Sequence, residues 1–76
     1  MKIYLGAHLN FYHPEKKSWL NVEIQQPVAL AEILESAGIP LGEIHMVVVN
    51  NEIEEMSEVM ISPQDEVKIF PPVGGG

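Results

Sequence analysis

This sequence predicts an α+β fold, a mixed sheet of four to five strands with one main helix packed across it, from two periodicities and a size. Apolar residues recur at every second position near both ends of the chain, and at every third or fourth position once, after Pro27. At 76 residues the chain is near the lower limit for folding on a single hydrophobic core and buries about 60% of its unfolded surface. Helix and sheet must therefore cover each other.

From Ile3 the apolar residues alternate as Ile3, Leu5, Ala7, Leu9 and Phe11, which predicts a strand with one buried face, His8, Asn10 and Tyr12 taking the other. Turn formers and charges follow in His13-Pro14-Glu15-Lys16-Lys17-Ser18, and alternation resumes with Leu20, Val22 and Ile24. Strand, loop and strand make an N-terminal hairpin. After Pro27, Leu30, Ile33, Leu34 and Ala37 stand at i, i+3, i+4 and i+7, which predicts a helix over 28–37. Gly38 suits its C′ position and Pro40 stops it. A helix this short is not stable alone, so its apolar stripe packs on the sheet.

Met46-Val47-Val48-Val49-Asn50 is apolar on both faces, as a strand inside a sheet requires, and ends at the turn signal Asn50-Asn51. Over 52–61, Ile53, Met56 and Val59 are spaced by three among four glutamates, and a short strand and a helical turn both fit. Ser62-Pro63-Gln64-Asp65 forms a turn, and Glu66-Val67-Lys68-Ile69-Phe70 returns Val67 and Ile69 to the core. Strand, strand, helix, strand, acidic segment, strand is the order of the β-grasp, or ubiquitin-like, architecture. One domain over 1–70 is expected, followed by a flexible Pro-Pro-Val-Gly-Gly-Gly tail over 71–76.

Composition narrows the function. With 46% hydrophobic and 20% charged residues the chain is globular, not disordered. It has no cysteine, which excludes a disulfide scaffold, a thiolate metal site and a cysteine nucleophile. The net charge of −7 comes from eleven acids against four basic residues, all lysines. Nucleic acid and anionic membrane are thereby disfavoured as partners. Without arginine, the chain is also poorly equipped to grip a nucleotide. The N-terminus lacks a basic region followed by a long apolar core, and no stretch approaches the roughly 20 apolar residues of a membrane span. A cytoplasmic protein is expected.

Several features invite chemistry that the spacing does not support. His8, His13 and His45 match neither a helical i, i+4 pair nor a zinc pattern, so no metal is expected. Trp19, Tyr4, Tyr12 and Phe11 lack basic neighbours for nucleic-acid stacking, and packing in the core or hairpin explains them. No triad is recognisable. From Glu52 to Glu66 there are six acids and no basic residue before Lys68. That run either docks a basic partner or is a solvated face.

The reactive feature is the tail. Pro71 and Pro72 fix φ near −65°, remove two backbone donors and favour an extended exit from the last strand. Gly74, Gly75 and Gly76 can enter a slot too narrow for any Cβ, and a carboxylate on an unhindered α-carbon is open to attack. Glycines with no helix after them cannot cradle a phosphate. Simple fraying of a chain end is the alternative, but fraying needs neither a Pro-Pro spacer nor apolar Phe70 and Val73 as anchors.

Asp65-Glu66-Val67-Lys68-Ile69-Phe70-Pro71-Pro72-Val73-Gly74-Gly75-Gly76 resembles the C-terminal signature of the MoaD/ThiS sulfur-carrier family, and Phe-Pro-Pro-Val before the glycines resembles most the molybdopterin synthase small subunit. The resemblance implies that an E1-like adenylating enzyme activates the Gly76 carboxylate with ATP and that a sulfur donor converts it to a thiocarboxylate. The chain would then be a non-catalytic carrier subunit of a sulfurtransferase complex, binding no cofactor itself, with ATP used by the activating partner. Its acceptor would be the molybdopterin synthase large subunit or another sulfur-accepting enzyme. Gly76 would bear the sulfur, Gly74 and Gly75 would thread the partner's channel, Phe70 and Val73 would anchor, and Pro71 and Pro72 would space. Carriers for thiamine, cysteine or tRNA thiolation share this end, and a ubiquitin-like protein modifier uses the same activation. A plain interaction module with an idle tail is the third class.

Overall fold

A computed structural model describes residues 1–72. Among the described residues seven strands form: β1 (Lys2–Leu5), β2 (Trp19–Asn21), β3 (Val28–Ala29), β4 (Met46–Val49), β5 (Glu52–Glu54), β6 (Met60–Ile61) and β7 (Glu66–Phe70). The helix α1 spans Leu30–Ser36, and 3₁₀ turns cover Ala7–Tyr12 and Leu41–Glu43. The main sheet runs β2-β1-β7-β4-β5, and β3 pairs with β6 in a separate two-stranded ladder. All neighbours are antiparallel except β1 and β7, which run parallel with Ile3 opposite Val67 and Leu5 opposite Ile69. This is the β-grasp arrangement.

Alternation decides which side each strand buries. Ile3, Leu5, Val47, Val49, Val67 and Ile69 turn inward and are between 0% and 9% exposed, meeting Leu30, Ile33 and Leu34 of α1 in one cluster. The helix is closed at its C-terminus by Gly38 at φ 77°, whose N–H donates to the Glu35 carbonyl at 3.0 Å, while the Ile39 N–H donates to the Leu34 carbonyl at 2.9 Å. That is a Schellman motif, with buried Ile39 packed in the same cluster as Leu34. Asn50 and Asn51, both at positive φ, make the tight turn from β4 into β5. Asn50 also clips the next turn, donating from Nδ2 to Asp65 at 2.9 Å and accepting the Glu66 N–H at 3.0 Å.

Three boundaries differ from the sequence reading, each for a tertiary reason, and one open segment is resolved. The first strand, expected to reach Phe11, stops at Leu5. One pair beyond Leu5 and Ile69, the Gly6 N–H still reaches the Ile69 carbonyl at 2.9 Å, but Pro71 has no N–H to carry the ladder further. The chain instead turns through Ala7 at φ 48° into a 3₁₀ turn that sinks Leu9 to 0% exposure and leaves Phe11 outside. The second strand, expected to run through Ile24, ends at Asn21, because its partner β1 begins at Lys2; Val22 and Met1 exchange the last bonds. The helix expected from residue 28 starts at Leu30, since Val28 and Ala29 pair with Ile61 and Met60. The segment that admitted strand or helix resolves into β5, a turn closed by the Glu58 N–H on the Glu55 carbonyl, and β6.

Candidate functional site at the end of the central strand

The parallel pairing of β1 and β7 brings their C-terminal ends to the same edge of the sheet, where the chain leaves β7 as Phe70-Pro71-Pro72. Inward-facing Val67 and Ile69 put Glu66, Lys68 and Phe70 on the face opposite α1. The Phe70 ring lies 6.1 Å from the Tyr4 ring and directly over Gly6, where a Cβ would fall 2.5 Å from the ring and 2.8 Å from the Ile69 carbonyl oxygen. Only glycine lets the strand end pack this closely. The Phe70 carbonyl accepts the His45 N–H at 2.8 Å. Phe70 is half-buried, Pro71 buried and Pro72 exposed. The expectations for Val73, Gly74, Gly75 and Gly76 fall outside the described residues.

The open face of the sheet continues from this point. In register across the strands lie Trp19, Tyr4, Lys68, Val48 and Ile53, with Phe70 beside Met46 in the next row. Trp19 and Tyr4 pack edge to face at 5.2 Å, and the Lys2 ammonium sits 4.8 Å over the Trp19 ring while pairing with Glu66 at 3.7 Å. Trp19 is 36% exposed and Ile53 74%. An apolar surface with one central lysine suits protein contact. Hairpin packing, as expected, accounts for Tyr4 and Trp19 and fails for Phe11.

The histidines do not converge. His8 Nε2 lies 3.3 Å from Glu43, and His13 Nδ1 accepts the Glu15 N–H at 2.9 Å. Among the described residues, no group of three or more His, Cys, Asp or Glu side chains is placed to hold a metal ion. The Tyr12 hydroxyl donates a hydrogen bond to the second oxygen of Glu43, fastening the 3₁₀ turn after β1 to the one before β4. That bond, assisted by His8, holds the Glu43 carboxyl below its ordinary range, and Glu43 raises the Tyr12 hydroxyl above its own. Two surface depressions, of about 380 Å³ beside Ile53 and about 500 Å³ beside Ile39, bring no nucleophile and base together. The described body offers surfaces for contact and no paired catalytic groups.

Sequence reasoning missed Gly6, Met46 and Ile53 as parts of this surface. A glycine inside an alternating run was a signal for close approach; the other two depend on register.

Sheet order and the helix across it together define a ubiquitin-like, β-grasp protein. A model of the ThiS family matches residues 12–76, and the chain belongs to that family of sulfur carriers. Members generally work with E1-like adenylating enzymes and with sulfur acceptors. No curated protein matches the chain significantly. Among the described residues, no helix is long and apolar enough to cross a membrane.

Proposed function

We propose that the chain carries sulfur as a thiocarboxylate on Gly76 for molybdopterin synthesis, as a molybdopterin synthase small subunit. The observation that carries this reading is the sequence Phe70-Pro71-Pro72-Val73-Gly74-Gly75-Gly76, whose Phe70 ends the central strand. Phe70 is seated on Gly6, so the tail starts from a fixed point. An E1-like enzyme brings ATP; a Gly76 carboxylate oxygen attacks the α-phosphate and pyrophosphate leaves. Sulfide from a donor then displaces AMP, which departs with the oxygen, and the resulting thiocarboxylate gives its sulfur to a pterin precursor in the large catalytic subunit, water restoring the Gly76 carboxylate as the C–S bond breaks. Activation is needed because a carboxylate resists nucleophiles until one oxygen becomes part of a good leaving group.

The roles within the chain follow. Pro71 and Pro72 hold the tail extended, Gly74 and Gly75 pass the narrow part of the partner's channel, and Phe70 and Val73 anchor its entrance. The apolar open face around Lys68 lies against the activating enzyme. The chain binds no cofactor of its own and works in the cytoplasm.

The test is intact mass after incubation with an E1-like adenylating enzyme, ATP and a sulfide source. An ATP-dependent exchange of oxygen for sulfur in the terminal peptide is expected, and Gly76→Ala should reduce it with the fold unchanged. Isopeptide adducts on lysines instead would identify a protein modifier. Transfer to a thiazole-forming or tRNA-thiolating acceptor, and not to the pterin precursor, would replace the molybdopterin assignment alone.

A further inference from the structure

The loop over 7–18 lies beside the tail exit, because Gly6, from which it departs, is bonded to Ile69 and covered by Phe70. Its 3₁₀ geometry, with three residues per turn, sends Leu9 and Tyr12 toward the protein and Phe11 away from it. Phe11 is 63% exposed. The loop is nonetheless tightly built. Asn10 Nδ2 donates to the Lys16 carbonyl at 3.2 Å, Lys16 Nζ donates to the Phe11 carbonyl at 2.8 Å, and Tyr12 and His8 both hold Glu43. The Lys16 ammonium stands 4.5 Å over the Phe11 ring, whose neighbour Tyr12 packs edge to face at 5.3 Å. A large apolar ring is thus held outward, with a cation on it, by a braced loop.

Charge and reach say what meets it. Lys16 and Lys17 are in this loop of a chain with net charge −7, but Lys17 pairs with Glu15 of the same loop at 3.1 Å, so the Lys16 ammonium on Phe11 is the loop's cation. Glu52 and Glu54 of β5, with Glu55 and Glu58 after them, lie at the far edge of the sheet. A surface complementary to the loop is apolar at its centre and acidic at its border. From Phe70 to Gly76 the chain spans roughly 20 Å at most, so an enzyme that takes Gly76 into its active site must lie close over this end of the sheet.

We propose that the Phe11 and Lys16 pair is a second docking point for the adenylating enzyme, received by an apolar socket bordered by carboxylates. The proposal rests on the sulfur-carrier reading and adds to it a contact outside the tail and the sheet face.

The experiment is ATP–pyrophosphate exchange by an E1-like adenylating enzyme as a function of carrier concentration, with Phe11→Ala and, separately, Lys16→Glu. Phe11→Ala should raise KM for the carrier about tenfold with kcat within about twofold, since the tail is untouched. Lys16→Glu should raise KM by about as much at low salt and less at high salt. Circular dichroism melts of both variants verify the fold, and either folded variant suffices for the test. Wild-type KM in the folded variants overturns the docking point while the carrier reading stands. No exchange with the wild-type chain overturns that reading and the docking point together.

Discussion

The two faces of the central sheet have opposite chemistry along its three inner strands, β1, β7 and β4. Toward α1 stand Ile3, Leu5, Val47, Val49, Val67 and Ile69, all aliphatic and all buried. On the other side stand Trp19, Tyr4, Lys68, Val48, Ile53, Met46 and Phe70, a mixture of aromatic, aliphatic and charged groups that remain half-buried or exposed. One face supplies the stability of a small domain, and the other is the surface that the proposed function lays against the activating partner. The difference teaches that stability and recognition are separable here by the parity of a residue along its strand.

Breaking the inner face should have the largest effect. Ile69→Ala removes a 0%-exposed side chain from the central strand and should lower stability by about 2–5 kcal/mol, read by urea denaturation. Gly6→Ala joins the two faces, since the new Cβ strikes the Phe70 ring on one side and the Ile69 carbonyl on the other. A loss of about 1–3 kcal/mol is expected, with a shift of the Phe70 ring resonances in NMR spectra. Val48→Glu, opposite Lys68 on the open face, should cost less than about 1 kcal/mol in a melt. It should still raise the carrier KM for activation about tenfold. If Val48→Glu destabilises as much as Ile69→Ala, the separation of the faces fails.

The smallest effect lies off both faces. The Glu43 carboxyl titrates lower in the folded chain than in the unfolded one, held down by the Tyr12 hydroxyl and by His8. Its contribution to stability is therefore complete above the unfolded value of about 4.3 and lost as pH falls through the lower folded value. Thermal melts from neutral pH to about pH 3 should show wild type exceeding Glu43→Gln most at neutral pH and converging in acid.

What was legible in the sequence was what neighbours in the chain determine. The stripe Leu30, Ile33, Leu34 and Ala37, the alternation of Val67 and Ile69, the Gly38 cap and the Asn50-Asn51 turn are local patterns, and each reappears in the fold. The end of β1 is not local. It depends on Pro71, far away in the chain, failing to offer an N–H in a parallel pairing that no short-range pattern encodes. The alternation through Ala7, Leu9 and Phe11 misleads because a 3₁₀ turn buries Leu9 too, while sending Phe11 outward. The same division holds at the site. Phe70, Pro71 and Pro72 are readable as a run, whereas Gly6 beneath Phe70 and Ile53 across from Val48 are assembled only by sheet order.

The strand that ends in Phe70 is the last of the described strands in chain order and the middle one in space. A chain cut short before β7 leaves β1 and β4 with no common neighbour, and Ile3, Leu5, Val47 and Val49 with no Val67 and Ile69 between them. Such a fragment has lost the long-range pairings that offset the entropy of closing the sheet. Folding and possession of the β7 exit are thus one event. An incomplete chain is thereby marked by its own instability.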